Sequence, residues 1–272
     1  MKSNYFLISI ACLFTISINQ SQAQLFKKLK QKLEDKVDRQ VDGMINGKSK
    51  TSDSNSERSS GKLPNIEEVY SFVPGSTVYF ADNFSSSSSG RMPKKWKSSG
   101  GGSVTTIPDV PGKWLALSPR TTYRIDSILA MPGNFTVEFD LLTRSVEAKD
   151  IGSMSVGFGR DNSNRDYMAD AYNNNAITET QLHFWNGDIT NASSDTKISN
   201  TLKFPLSNYA NGLIHVAISV EGENMRVYVN KSKLLDTRMF KKNTLKYFYL
   251  TAPFDYTAEA MVYFSNFVIA KS

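Results

Sequence analysis

The sequence predicts an all-β protein of antiparallel sheets, closed as a sandwich or a barrel, on three observations. Residues 212–236, GLIHVAISVEGENMRVYVNKSKLLD, alternate apolar and polar side chains through two tight turns, so that Val216, Ile218 and Val220 point one way and His215, Ala217 and Ser219 the other. Met225, Val227 and Val229 repeat the alternation opposite Arg226 and Tyr228. Short strand-like segments then account for nearly everything after Leu63, with no helical pattern between them. Finally, Gly, Pro, Asn and Ser punctuate almost every gap. A three-stranded meander buries too little apolar surface to stand alone, so it belongs to a larger sheet packed on another layer.

In chain order, residues 1–23 read as a signal peptide. Lys2 supplies the basic start, Tyr5 to Ile18 the apolar stretch, and Ser21, Gln22 and Ala23 a small-x-small cleavage site, so the mature chain is expected to begin at Gln24. The rival reading, a membrane anchor, needs about 20 apolar residues, and this run is shorter and contains Ser and Thr. Cys12, the single cysteine of the 272 residues, lies inside that apolar stretch. The mature chain is therefore expected to lack disulfides, thiol nucleophiles and cysteine metal sites.

Residues 24–45 form an amphipathic helical arm, with Leu25, Leu29, Leu33, Val37 and Val41 at every fourth position and Ile45 at its end. Lys27, Lys28, Lys30, Lys32 and Lys36 fill the polar face early, followed by Glu34, Asp35, Asp38 and Asp42. Three readings stay open: self-association or packing on a partner, contact with a membrane surface, and a solvated spacer. Residues 46–62 are polar and read as a disordered linker, which leaves 63–272 as the folded domain. The chain's net charge of +6 is concentrated in the segment before Gly61, which argues against a nucleic-acid surface on the folded domain.

Within the domain, strands are expected at 77–81, 103–107, 113–118, 123–128, 135–143, 153–158, 180–185 and 201–204. The meander at 213–220, 224–230 and 233–236 follows, then 245–251 and 261–270.

Several local patterns in this frame resemble the concanavalin A-like (laminin G-like) jelly-roll domain of exported Bacteroidetes envelope proteins. They are Val73-Pro74-Gly75, then Val78-Tyr79-Phe80-Ala81-Asp82-Asn83-Phe84-Ser85, then Gly90-Arg91-Met92-Pro93 and Trp96 at the entry. Phe135-Thr136-Val137-Glu138-Phe139-Asp140 is similar to the family's central strand. His215-Val216-Ala217-Ile218, Arg226-Val227-Tyr228-Val229-Asn230 and Leu235-Asp236 are similar to its later meander. The resemblance implies an antiparallel jelly-roll β-sandwich preceded by the N-terminal helix, exported to the periplasm, the outer membrane or the cell exterior. Such domains often precede an OmpA-family peptidoglycan-binding domain; none follows in this sequence, so peptidoglycan binding is not carried over. Lys231 stands where the family has Gly, so the turn is expected to use Asn230 and Ser232.

Enzymes on such folds include glycosidases, which need two carboxyl groups facing the scissile bond. Glu138 and Asp140 begin a Glu-x-Asp-x-(x)-Glu motif, but Leu141, Leu142 and Thr143 follow and the third carboxylate is missing. With Phe135, Val137, Phe139 and Leu141 facing inward, the two carboxylates are expected on a solvated or hydrogen-bonded face. A hydrolase would then need a pair from distant strands, such as Glu138 with Glu179 or with Asp188.

In residues 159–175, GRDNSNRDYMADAYNNN, the hard oxygens of Asp161, Asn164, Asp166 and Asp170 suit a structural calcium ion, though without EF-hand spacing. No other cofactor is expected. Tyr167, Tyr172 and Trp185, with Asn173 and Asn186, suit a sugar platform of stacking rings and hydroxyl-bonding amides. Trp96, Trp114 and Trp185 equally suit core or rim positions. His183 and His215 have no acidic neighbour in sequence and read as satisfied strand histidines, which leaves no His-based metal or triad site. Gly100, Gly101 and Gly102 lack the following helix and Lys of a phosphate loop. Three functions are consistent with these residues: a non-catalytic envelope binding or adhesion module for a glycan or another envelope protein, a glycoside hydrolase, and a scaffold assembled through residues 25–45.

Overall fold

The computed structural model describes residues 70–127 and 130–272, which fall in one compact unit, Ile66–Ser272. The signal peptide, the arm and the linker expected at 1–62 lie outside the described residues. Fifteen strands follow in order: β1 (Thr77–Asp82), β2 (Trp96–Ser98), β3 (Ser103–Ile107), β4 (Val110–Ala116), β5 (Thr122–Ile125), β6 (Asn134–Arg144), β7 (Ser153–Gly159) and β8 (Ala176–His183). The rest are β9 (Asp188–Ser193), β10 (Ser199–Lys203), β11 (Gly212–Glu221), β12 (Asn224–Val229), β13 (Ser232–Arg238), β14 (Tyr247–Thr251) and β15 (Met261–Lys271). Two short 3-10 turns, Ala148–Ile151 and Leu206–Tyr209, are the only helical segments among the described residues.

The strands form two antiparallel sheets. The first runs β13-β12-β11-β6-β15-β4-β3, with β1 also on β15; the second runs β10-β9-β8-β7-β14-β5-β2. The chain crosses repeatedly: β6 leaves the first sheet, β7 to β10 build the second, β11 to β13 return, and β14 and β15 insert one into each. The product is the jelly-roll sandwich.

Strand alternation drives this packing. Phe135, Val137, Phe139 and Leu141 of β6 all face inward and are buried, as expected, together with Val216, Ile218 and Val220 of β11 and Met154, Val156 and Phe158 of β7. Trp96 meets Phe264 and Phe267 edge-on, with centroids 5.2 and 5.1 Å apart. Burying each Phe contributes about 2 kcal/mol. Phe264 and Phe267, three residues apart, share the core because a bulge at Asn266, in the left-handed region at φ 54°, interrupts β15.

The structure corrects the sequence reading in three places. β2 is too short to show a period. β9 hides its period because its inward positions include Asn191 and Ser193, buried polar residues satisfied by Thr180 (2.7 Å) and by the Met239 carbonyl (2.6 Å). At the β12–β13 turn both Asn230 (φ 45°) and Lys231 (φ 69°) are left-handed, so Lys231, and not Ser232, occupies the second turn position.

Candidate functional site

Loop 160–175 leaves β7 and returns to β8 after folding across the outer face of the second sheet. β7 presents Gly157 and Gly159 on that face, and the absent side chains leave room for two long neighbours to lie over it. A Cβ on Gly157 would stand 1.9 Å from the Thr178 carbonyl oxygen and 2.9 Å from the Tyr249 hydroxyl, which donates to that same carbonyl. A Cβ on Gly159 would stand 3.1 Å from the Arg124 guanidinium. The loop seals this layer with Met168, which packs with Tyr249 and Ala176.

Side-chain bonds pin the loop. Asn162 Nδ2 donates to the Ile125 and Ser127 carbonyls (2.9 and 3.0 Å), Asn164 Nδ2 to the Ser98 carbonyl (2.9 Å), and the Tyr167 hydroxyl to the Ala252 carbonyl (3.1 Å). The Met168 amide donates to Thr122 Oγ1 (2.8 Å).

Two charged groups are trapped beneath. Glu179 of β8 is 5% exposed, and its Oε2 has no hydrogen-bond partner among the described residues. Burial pushes its carboxyl up to about 7, against the opposing pull of the Ala171 backbone N–H, while Asp170 adds to the rise. Arg124 of β5 is fully buried. One guanidinium nitrogen donates to the Asp161 carbonyl (2.8 Å), another lies 3.5 Å from Met168 Sδ, and Nε has no partner. Burial lowers its pKa, opposed by the charges of Asp161 and Tyr249.

Beside these groups opens a pocket of about 660 Å³, lined by Lys97, residues 161–166, Met168, Asn174 and Asn175. Its size is that of a small-ligand site, and apart from Met168 every lining side chain is polar.

The residues expected to bind ligand do not assemble as one platform. Tyr167 is half-buried, edge-on to Phe254 with centroids 5.9 Å apart; Arg120 stacks on the other ring at 3.9 Å. Tyr172 is 52% exposed, with Lys197 5.2 Å from its ring centre, and Asn173 bonds to Asp170. Trp185 is 61% exposed but follows the far end of β8, whereas Tyr172 adjoins Ala171, whose N–H reaches Glu179 in the middle of that strand, so the two rings stand on different stretches of the sheet. There Trp185 stands edge-on to His183, and Asn186 bonds to Asp188 (2.8 Å). Trp96 and Trp114 are core residues.

The expected calcium ligands divide as well. Asp161, Asn164 and Asp166 line the pocket, whereas Asp170 does not. Asp161 accepts from the Ser163 amide (2.9 Å) and Asn175 Nδ2 (2.8 Å), and Asp170 from the Tyr172 and Asn173 amides (2.7 and 3.1 Å). These carboxylates hold the loop's own turns, and among the described residues no three His, Cys, Asp or Glu side chains group as a metal site. The four residues do not fit a calcium ion as one ligand set.

Glu138 and Asp140 lie on the outer face of the first sheet, with His215 of β11 directly across from Asp140. Its Nδ1 donates to Asp140 Oδ1 (2.7 Å), Nε2 lies 3.5 Å from Glu138 Oε2, and Asn266 Nδ2 donates to Asp140 Oδ2 (2.7 Å). Burial opposes the imidazolium charge, but the bonds to Asp140 and Glu138 outweigh it and raise the His215 pKa to about 9. The histidine is satisfied, as the sequence suggested, yet by two carboxylates far away in the chain. Glu138 therefore cannot combine with Glu179 or Asp188, which face outward from the opposite sheet; the expected hydrolase pairs do not form.

Two cationic residues escaped the sequence reading: Lys97, which lines the pocket, lies in the overlooked strand β2, and Arg124, buried under the loop and outside the pocket lining, is the one charged residue of β5.

No family model and no curated protein matches this sequence. Among solved structures, the chain is similar to the carbohydrate-binding module CBM66 from Bacillus subtilis (13% identity, 65% of this chain and 96% of that one, TM-score 0.43). It is also similar to the carbohydrate recognition domain of Emp47p (10%, 71% and 94%, TM-score 0.49). A third similar structure is the exoplasmic/lumenal domain of VIP36 with calcium and mannose (9%, 66% and 84%, TM-score 0.48).

Proposed function

We propose that this protein is an exported, non-catalytic binding module whose ligand is a glycan held in the pocket that loop 160–175 forms with Lys97. The observation that carries the reading is the pocket itself: about 660 Å³, lined by amide, hydroxyl, carboxylate and cationic side chains, with its loop already pinned in place. Polyhydroxylated ligands need many donors and acceptors on a preformed surface, and pre-organisation lowers the ordering entropy lost on binding. The sequence pattern from Lys2 to Ala23 supports export, and the amphipathic pattern of residues 25–45 supports attachment at the envelope, where the domain would act in adhesion.

The test is a glycan array followed by calorimetry on the hits. Arg165→Ala and Asp166→Ala, both at exposed pocket positions, are expected to weaken binding about fivefold or more. Trp185→Ala, outside the pocket lining and past the far end of β8, is expected to leave it unchanged. Hits insensitive to both pocket substitutions but abolished by Trp185→Ala would move the site to the other end of β8. Turnover of a hit glycan, lost in Glu138→Gln or Asp140→Asn, would replace the binding reading with catalysis.

A further inference from the structure

Loop 160–175 is fastened unevenly. Its outgoing limb is bonded to β2, β5 and the end of β14 through Asn162, Asn164, Tyr167 and the Met168 amide. The return limb, residues 169–173, is held differently. Asp170 accepts from the Tyr172 and Asn173 amides and from Asn173 Nδ2 (2.6 Å), so among the described residues no side chain of this limb hydrogen-bonds outside the loop. The limb meets the sheet through the buried Ala171, whose N–H reaches the Glu179 carboxyl, and through Lys197, 5.2 Å from the Tyr172 ring centre. Asn174 and Asn175 follow it in the chain and line the pocket, so the limb that rests on Glu179 also carries part of the pocket wall.

A charged Glu179 is a poor anchor for that limb. Its register partners, Gly157 of β7 and Ala192 of β9, carry no charge, while Asp170 and Tyr167 of the loop and Tyr249 of β14 face it. Arg124, beside Gly159, reaches the Tyr249 ring at 5.7 Å but makes no bond to Glu179. When ionised, the carboxylate is therefore buried near Asp170 with no cation bonded to it and with Oε2 unpartnered. A buried charge in that state is costly, and lifting residues 169–173 would let water reach it. Protonation removes the charge and lets the limb stay down.

We propose that protonation of Glu179 gates this pocket: with the carboxyl neutral, limb 169–173 lies down and Asn174 and Asn175 complete the wall, and ionisation lifts the limb and opens it. The proposal rests on the glycan reading above and adds its regulation by pH. Glu179 is a positioning residue, buried beneath the limb and outside the pocket lining. Burial raises its pKa from 4.5 to about 7 under the closed limb. Closure is therefore favoured most below pH 4.5, and its advantage falls as pH rises to 7 and is constant above. The pocket lining itself has no histidine.

The experiment measures the affinity of array hits by calorimetry between pH 5 and pH 8 for the wild-type protein, Glu179→Gln and His183→Gln. His183 is included because it lies at the other end of β8 and burial lowers its pKa from 6.5. From pH 5 to pH 8, binding is expected to weaken about fivefold or more in the wild type and in His183→Gln, and to stay within about twofold in Glu179→Gln. A fall that Glu179→Gln retains, or that His183→Gln abolishes, would overturn the gate while leaving the glycan reading standing, as would a wild-type affinity indifferent to pH. No hits at any pH would remove both. A second measurement needs no ligand: amide hydrogen exchange across residues 169–175, taken as the ratio of wild type to Glu179→Gln at each pH so that intrinsic exchange cancels. That ratio is expected to rise about fivefold or more over the same range. A ratio that stays flat would overturn the gate whatever binds.

Discussion

On the outer face of the first sheet, His215 sits between Asp140 and Glu138, with Asn266 completing the Asp140 carboxylate. On the outer face of the second, Glu179 and Arg124 lie under loop 160–175 and each keeps an unpartnered atom. Both faces are roofed in the same way, by a chain segment pressing an apolar residue onto a strand tyrosine. Phe72 packs on Tyr228 and Ala217 in the first, with Ser71 bonded to the Tyr228 hydroxyl at 3.0 Å; Met168 packs on Tyr249 in the second. Gly75 fits that first crossing because a Cβ there would stand 2.5 Å from the Lys271 carbonyl oxygen. The roofs are therefore alike and the charges beneath them are not. A structural face satisfies its ions, whereas the face that leaves them unsatisfied is the one beside the pocket.

The largest expected effect tests how the second face is built. Gly157→Ala drives a Cβ into the backbone of β8 and against Tyr249, so it is expected to destabilise the domain by about 4 kcal/mol or more, read as a shift in the denaturant midpoint. An ordinary loss below about 1 kcal/mol would show that the Tyr249 layer has slack.

Next in size is the paired cluster of the first face. His215→Ala leaves two largely buried carboxylates without their cation and is expected to cost about 3 kcal/mol at neutral pH. In the wild type the His215 pKa is raised from 6.5 to about 9, so its stabilisation is complete below pH 6.5 and is lost as pH rises through 9. Discounted for partial exposure, the loss amounts to about 2 kcal/mol. A His215→Ala profile with the same slope between pH 6.5 and 9 would assign that titration elsewhere.

Glu179 extends the comparison into the adjoining window. Its carboxyl is raised from 4.5 to about 7, so the folded state holds a proton that the unfolded state releases, and stability falls as pH rises from 4.5 to 7. Glu179→Gln removes that slope and is expected to gain about 1–2 kcal/mol above pH 7, since the amide keeps its shape without a buried charge. Urea titrations across pH 4 to 9 separate the faces: this substitution flattens the lower window and His215→Ala the upper. One substitution flattening both would mean that the two faces are coupled.

Legibility in the sequence followed the same division. Strands with apolar alternation, such as β6, β11 and β12, were readable because burial on one face imposes a period of two. β9 was not, because Asn191 and Ser193 face inward where apolar residues were sought. The site was less legible than the fold, for a reason of register. Asp140 and His215 are 75 positions apart, and Lys97 reaches the pocket only through β2, three residues long. Tyr172 and Trp185 show the reverse: close in sequence, they stand on different stretches of β8, Tyr172 beside Glu179 and Trp185 past the strand's end.

The smallest expected effect concerns the turn that joins β12 to β13, beside the first face. Asn230 tolerates its left-handed backbone because its side chain accepts the His215 amide (2.7 Å) while its own amide donates to the His215 carbonyl (2.9 Å). Lys231, at φ 69°, has a Cβ where glycine would have none. Lys231→Gly is therefore expected to stabilise the domain by about 0.5–1 kcal/mol, a gain reduced by the greater freedom of glycine in the unfolded chain. Because Asn230 also fixes the backbone of His215, the gain should come with an unchanged slope between pH 6.5 and 9. A slope that steepened would show that strain in the turn is transmitted to the imidazole; one that vanished would show that the lysine, and not the glycine-like geometry, holds His215 in register.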